Sequence, residues 1–386
     1  MKKILLLFMM CMLLPRVAVA QELDGTFTIT DLASNPSGTY FDVGVSSTTI
    51  YTAYNMDLFL PVGINVALDG NSKPKVQMLK TSAAVYPATV TQVWDDELED
   101  YKEVTTYTHS VSCSQPTANQ LRVACISNIN EDFTKTSGKL FRVYVTLDNT
   151  VLAASFSPKP IVKLSGLNLT TSSEVKYVPA DFSCRPFTTG IPTERTLAVN
   201  VSSTNKIGTL ILPFNADLPT GLKAYSCNAI GEGDLLTLTQ ASSIEACTPY
   251  IVYAENGYSG NLSGTASLTD ATNVTDVFTD GYLTGVLTTA TTNNGYVLQN
   301  QGSGPMFYDT DGATFSIPAG RCYLTPSASN NVKSFGFNFD IETAIQDELI
   351  NCKSSNCKLL YDLSGRRVES PTRGIYIQGT RKVIIK

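Results

Sequence analysis

Charge is scarce in this 386-residue chain, and histidine is almost missing. Asp, Glu, Lys and Arg make up 16% of it, against 43% hydrophobic residues, with one His and one Trp. Low charge with ordinary apolar content excludes intrinsic disorder, which needs the reverse balance. It also excludes coiled coils and helical repeats, which are rich in Ala, Glu, Lys, Leu and Arg. A net charge of −6 argues against nucleic acid as a partner, because phosphate affinity comes from Lys and Arg. One histidine leaves a single candidate ring for Ser–His–Asp or Cys–His catalysis. No CxxC pair, Walker loop, dinucleotide glycine loop or Gly-x-Ser-x-Gly elbow occurs.

What is present begins with an address. Lys2 and Lys3 precede an apolar run, Ile4 to Leu14, and Ala18-Val19-Ala20 supplies small residues for cleavage. This predicts a secretory signal peptide over residues 1–20, cut between Ala20 and Gln21. The run is shorter than the roughly 20 residues that a membrane-spanning helix takes, and no later stretch approaches that length. We therefore expect no transmembrane segment and an exported protein that passes through the periplasm. Cys11 lies early, behind Phe8-Met9-Met10, which argues against lipidation there.

The rest reads as β throughout. Phe41, Val43 and Val45 alternate; so do Phe141, Val143, Val145 and Leu147, and over 105–113 Tyr107, His109, Val111 and Cys113 share one parity. Period two marks a strand with one buried face. Further strands are expected at 26–32, 51–60, 120–127 and 160–168, then at Leu210–Phe214, Leu235–Thr239, Pro249–Ala254, Gly295–Gln299 and around Phe335, Phe337 and Phe339. The one helical candidate is Glu342–Ile350. The expected class is all-β: two consecutive β-sandwich (jelly-roll or Ig-like) domains, 21–183 and 193–347, with a small β tail at 348–386. Residues 184–192, with Pro186, Gly190 and Pro192 and no period, are read as a linker.

Eight cysteines follow the signal, which leaves buried thiols and one or two bridges both open. Cys113 and Cys125 flank a turn out of register with each other.

Charge is unevenly placed. Residues 352–386 hold eight Lys/Arg against two Asp/Glu, a net of +6, while 21–351 carry −15. The tail contains Tyr361-Asp362-Leu363-Ser364-Gly365-Arg366-Arg367-Val368 and then Gly374-Ile375-Tyr376-Ile377, three short strands joined by turns. It resembles the C-terminal sorting signal of Bacteroidetes proteins handled by the type IX (Por) secretion system. That resemblance implies the type IX machinery as a partner and a final place at the cell surface or outside the cell. It assigns the signal to Tyr361, Asp362, Leu363, Gly365, Arg366, Arg367, Gly374 and Tyr376. A basic tail docking on the acidic body is the plainer alternative.

Tyr51 to Gly63, His109-Ser110-Val111 and Gly138 to Val143 make the first domain resemble the cohesin-like, carbohydrate-binding-module-like sandwich of Bacteroidetes surface proteins. That likeness implies a binding or adhesion role without enzymatic activity, the ligand being a polysaccharide or a surface protein. An accessory polysaccharide-binding protein of a glycan-degrading system and a structural component of a surface assembly remain alternatives.

The candidate site residues lie close together in sequence. Trp94, Tyr101 and Tyr107 are candidates for stacking on a ligand such as a pyranose ring; the alternative is a Trp that caps the core. Asp95, Asp96, Glu97, Glu99 and Asp100 form the densest acidic cluster. They read as an exposed hairpin loop or as oxygen ligands for calcium, the one possible cofactor. His109 sits on the apolar parity of its strand, where a structural role is expected. Asp309-Thr310-Asp311-Gly312 lacks the glutamate of a calcium loop and reads as a hairpin turn.

Overall fold

The structure, a computed structural model, describes residues 23–231, 233–269, 272–302, 304–325 and 332–339. In the tail it describes 360–361, 367–368, 373–378 and 381–385. The signal segment with Ala20 and Gln21, the helical candidate 342–350, Cys352, Cys357, Asp362, Leu363, Gly365 and Arg366 lie outside the described residues. The chain is all-β and forms two compact units. The first comprises the chain through Ala153, 159–192 and 268–274; the second takes 154–158, 193–267 and 275 onward.

Among its described residues the first unit has fourteen strands: β1 Thr26–Ile29, β2 Ala33–Asn35, β3 Gly38–Ser46, β4 Ala53–Phe59, β5 Ile64–Val66, β6 Val76–Met78, β7 Ala88–Asp95, β8 Asp100–Tyr107, β9 His109–Thr117, β10 Gln120–Ser127, β11 Ser137–Leu147, β12 Val162–Thr170, β13 Lys176–Tyr177 and β14 Phe182–Cys184. One short helix, α1 (Asn149–Ala153), follows β11. Two antiparallel six-stranded sheets form a sandwich. One runs β1-β3-β11-β5, with β2 on β3 and β6 on β11; the other runs β13-β12-β4-β10-β9, with β14 on β12. The alternating residues meet between them: Phe41, Val43, Phe141 and Val143 from one sheet, and Tyr54, Met56, Leu58, Leu121, Val123 and Leu164 from the other. Tyr54 stacks on Phe141 at 5.9 Å. Burying each such side chain contributes about 1.5–3 kcal/mol. The Tyr54 and Tyr86 hydroxyls satisfy each other inside this core at 2.8 Å.

The period changes phase once on β12. Its pairing with β4 shifts between Ser165 and Asn168, so Leu164 and Leu167 both face inward. Gly166 takes the extra step with φ +59, where a side chain would be strained.

One expectation changes here. Residues 184–192 are part of the first unit: Cys184 pairs with Val162, and Phe187 is fully buried 5.2 Å from Phe41. The Asp31 carboxylate holds the same stretch by accepting the backbone N–H groups of Thr188 and Thr189. Pro and Gly remove strand pairing there but not burial. Of the cysteines, Cys113, Cys125, Cys184, Cys227 and Cys322 are free thiols. Cys113 pairs in register with Val123 and Cys125 with Val111, out of register with each other as expected.

The second unit is built on one ten-stranded sheet. Its order is Ile207–Leu210, Tyr250–Tyr253, Lys223–Ile230, Leu235–Ala241, Ser334–Phe339, Pro305–Asp309, Tyr296–Asn300, Arg321–Leu324, Leu283–Val286 and Val277–Asp280. The Leu235–Ala241 and Ser334–Phe339 pair is parallel. The sheet curls until its first strand meets Arg321–Leu324, where the Cys322 N–H donates to Thr209 Oγ1 at 3.0 Å. Asp309 to Gly312 makes a turn, as expected, with Asp309 Oδ1 accepting the Asp311 N–H. It is not a hairpin turn, because Pro305–Asp309 pairs with Tyr296–Asn300 and Phe315–Ile317 pairs with Ala290–Thr292. The tail forms a four-stranded sheet, one strand more than expected, in the order Arg367–Val368, Leu360–Tyr361, Gly374–Gln378, Arg381–Ile385.

Candidate functional site

The sequence 88–107 alternates Thr and Val through two arms around an acidic turn, a composition suited to paired strands. β7 and β8 pair along their whole length, from Ala88↔Tyr107 to Asp95↔Asp100. Among the described residues they pair with nothing else and form a two-stranded ribbon. Neither face of the ribbon is covered: nearly every residue from Ala88 to Thr106 is exposed. Eight residues a side make it roughly 26 Å long by strand rise. An isolated hairpin is marginal in water, so its root needs an anchor.

That anchor is aromatic. Tyr86, just before β7, and His109, just after β8, flank the root of the ribbon, both buried, with ring centroids 5.6 Å apart; Phe133 packs on each. His109 Nε2 meets the Thr52 carbonyl at 3.0 Å, and Nδ1 meets the Thr108 hydroxyl at 3.2 Å. Burial pushes this imidazole below its ordinary pKa, against the opposing pull of the Thr52 carbonyl and Glu131. Both nitrogens are thus engaged in holding the ribbon's root. Tyr107 is half-buried beside the first core, with Lys80 Nζ 4.9 Å above its ring.

Cross-strand partners share a face. Trp94, Tyr101 and Tyr107 therefore lie on one side of the ribbon, together with Val90, Gln92, Glu103 and Thr105. Trp94 and Tyr101 are direct partners at the tip, 50% and 63% exposed. Their rings stand 5.2 Å apart at 76°, edge to face, so they form a corner rather than a flat platform. Tyr107 lies six residues away at the root. The apolar side chains of Val90, Val93 and Leu98 are exposed as well.

The acidic residues surround the tip. Asp95 Oδ1 accepts the N–H of Glu97 at 3.0 Å and of Leu98 at 3.3 Å, and Lys102 Nζ binds Asp95 Oδ2. The Lys102 ammonium, followed by the Glu97 N–H, holds the Asp95 carboxyl below its usual range. The turn is thus the exposed hairpin loop that the sequence suggested. Among the described residues no group of three or more His, Cys, Asp or Glu is placed to hold a metal, these acids included. Asp95 is occupied by its own loop and by Lys102, and Asp96, Glu97, Glu99 and Asp100 stand exposed around it.

Sequence reasoning named the three aromatics but missed β7 and the common face. The signal was there: Val90, Gln92 and Trp94 keep period two before the acidic turn, as Tyr101, Glu103, Thr105 and Tyr107 do after it. Of the tail residues assigned to a sorting signal, Tyr361, Arg367, Gly374 and Tyr376 lie on strands, and the Tyr376 ring is buried.

A second ordered polar cluster lies on the outer side of β3 and β11. Asp42, 2% exposed, accepts from Arg142 Nε and Lys139 Nζ, each at 2.7 Å. The Arg142 guanidinium lies 3.4 Å from the centre of the Tyr40 ring. These groups satisfy one another and leave little to offer a ligand.

No family model matches this chain, and no curated protein matches it. Among solved structures it is similar to the major pilin SpaA of Corynebacterium diphtheriae, whose structure is described as pointing to a modular pilus assembly with stabilizing isopeptide bonds. The similarity covers 83% of this chain and 69% of that one at 12% identity and a TM-score of 0.21. A TM-score that low carries no argument about function. No helix among the described residues is long and apolar enough to cross a membrane.

Proposed function

We propose that this chain is an exported, non-enzymatic binding or adhesion protein whose recognition element is the β7–β8 ribbon. The observation that carries the reading is the exposure of Trp94 and Tyr101 at the tip of a ribbon that covers neither of its faces. Exposed aromatics held on an ordered, protruding scaffold are what binding surfaces use, because large rigid rings supply contact area at little entropic cost. The signal-like N-terminus and the sorting-signal-like tail support delivery to the cell surface or the medium by a type IX route. The edge-to-face corner and the acidic rim favour a protein ligand over a flat sugar ring, which calls for a platform.

The test is adhesion of the purified mature chain to bacterial and host cells that have been left intact, trypsin-treated or periodate-treated. Trp94→Ala and Tyr101→Ala run beside it. Truncating a central aromatic is expected to weaken binding about 30-fold, corresponding to about 2 kcal/mol. Because both rings are exposed, the melting temperature should stay within the equivalent of about 0.5 kcal/mol. Adhesion that trypsin abolishes supports a protein ligand, and loss on periodate treatment assigns a glycan instead. Equal adhesion by wild type and both variants refutes the ribbon as the recognition element.

A further inference from the structure

The ribbon has two edges, and among the described residues neither is hydrogen-bonded to another strand. An unpaired edge is a template for an added strand. Its charge restricts what can add. Residues 88–107 hold six Asp/Glu against one Lys, a net of −5. A second ribbon brought alongside would set −5 against −5.

The tail carries the opposite pattern. Residues 352–386 have a net of +6. Its four-stranded sheet ends in Arg367–Val368 on one side and Arg381–Ile385 on the other, and among the described residues neither strand has an outer partner. Both open edges therefore begin with basic residues, and Ile384 on the second is exposed. Two tails would repel as two ribbons would. The pairing that joins two open edges and also lowers the charge is ribbon to tail.

We propose that the basic C-terminal sheet of one copy of this chain adds to the acidic β7–β8 ribbon of a second copy. The contact is heterologous: each copy offers a ribbon and a tail, so association runs head to tail, into a ring where the rotation closes and a growing filament where it does not. It rests on the reading of the ribbon as a docking element and names an occupant for it. It applies to chains that retain residues 352–386. Charges on the ribbon rim and tail act over about 8 Å at physiological salt, so the contact should be strongly salt-dependent.

The experiment is sedimentation velocity on the mature full chain, 21–386, up to about 100 µM in low and high salt. Expected is a mass that grows with concentration, and affinity about tenfold lower or worse in 0.5 M than in 0.05 M NaCl. Two triple variants test the partners. Glu97→Lys, Glu99→Lys and Asp100→Lys bring the ribbon to +1; Arg373→Glu, Arg381→Glu and Lys382→Glu bring the tail to zero. Each alone is expected to stay monomeric. Mixed, the tail variant still offers an unaltered ribbon and the ribbon variant an unaltered tail, so they should form a 1:1 dimer that grows no further.

A wild-type chain that stays monomeric in low salt overturns the proposal. So does a mixture without the 1:1 dimer, or association that neither variant reduces. The failure is separable from that of the adhesion reading: a monomeric wild type whose adhesion still depends on Trp94 leaves the ribbon as a binding element and removes only this occupant.

Discussion

Replacing Asp42 with Asn removes one negative charge from the outer side of β3 at almost constant volume, so no cavity forms. Three charge-assisted hydrogen bonds are affected: from Arg142 Nε at 2.7 Å, Arg142 Nη2 at 3.2 Å and Lys139 Nζ at 2.7 Å. Removing one partner of a fully buried ion pair costs about 3–5 kcal/mol, because the other charge stays buried and unpaired. The full figure does not apply here. The Lys139 side chain is 44% exposed and can return to water, so its share falls toward the ~1 kcal/mol of a surface pair. The Arg142 side chain is only 18% exposed and pinned over Tyr40, so it bears most of the loss. The expected cost at pH 7 is about 2–3 kcal/mol, or roughly 5–10 °C in melting temperature for a unit of this size. Burial raises the Asp42 pKa, but the Arg142 and Lys139 hydrogen bonds and charges outweigh it, and the net shift is downward. A carboxyl with a depressed folded pKa stabilises fully above its unfolded pKa of about 4 and loses that contribution as pH falls through the folded value. Calorimetric unfolding of wild type and Asp42→Asn from pH 3 to 8 should show a constant difference down to about pH 5, then a shrinking one. A cost under about 0.5 kcal/mol at pH 7, or the same difference at pH 3, would refute the account.

Three further outcomes follow from the same structure. Asp31→Ala should cost about 1–2 kcal/mol and speed amide exchange over 186–191, because that carboxylate accepts from Thr188, Thr189 and Leu32; unchanged exchange there would be the contrary result. The single imidazole, His109, should titrate by NMR below its ordinary 6.5, and its contribution to stability should be present above pH 6.5 and fall as pH drops through the folded value; a midpoint above 6.5 would contradict its burial at the ribbon root. Burial pushes the Cys125, Cys227 and Cys322 thiols up to about 12, so iodoacetamide at pH 8 should modify them only after unfolding. Labelling of any of the three in the native chain would count against that burial.

Much of the fold was legible because alternation is local. β3, β4, β10 and β11 were expected within a few residues of their observed ends, since each shows period two with one apolar parity, and β12 was expected on the same pattern up to its phase change at Gly166. β7 was missed because neither parity is purely apolar: Gln92 interrupts Ala88, Val90 and Trp94, and Val93 stands among Thr89, Thr91 and Asp95. A strand with no buried face has no apolar stripe to read. The junction at Thr108 was hidden for a related reason: parity runs unbroken from Asp100 to Thr117, yet β8 pairs with β7 and β9 with β10. The phase change at Gly166 and the burial of Phe187 in a stretch rich in Pro and Gly were invisible on the same grounds.

The sequence by itself determined the all-β class, the export-like N-terminus, the acidic turn with its neighbouring aromatics, and the opposite charge of the tail. Each follows from composition or from neighbours within a few residues. Only the tertiary structure decided that β7 and β8 leave the sandwich as a ribbon, that Trp94, Tyr101 and Tyr107 share its face, and that His109 packs at its root with both ring nitrogens hydrogen-bonded. Period two records that a strand has two sides, but not which distant strand hydrogen-bonds to its edge. Pairings such as Asp42 with Arg142, a hundred residues apart, are settled when the sheets close on a common core.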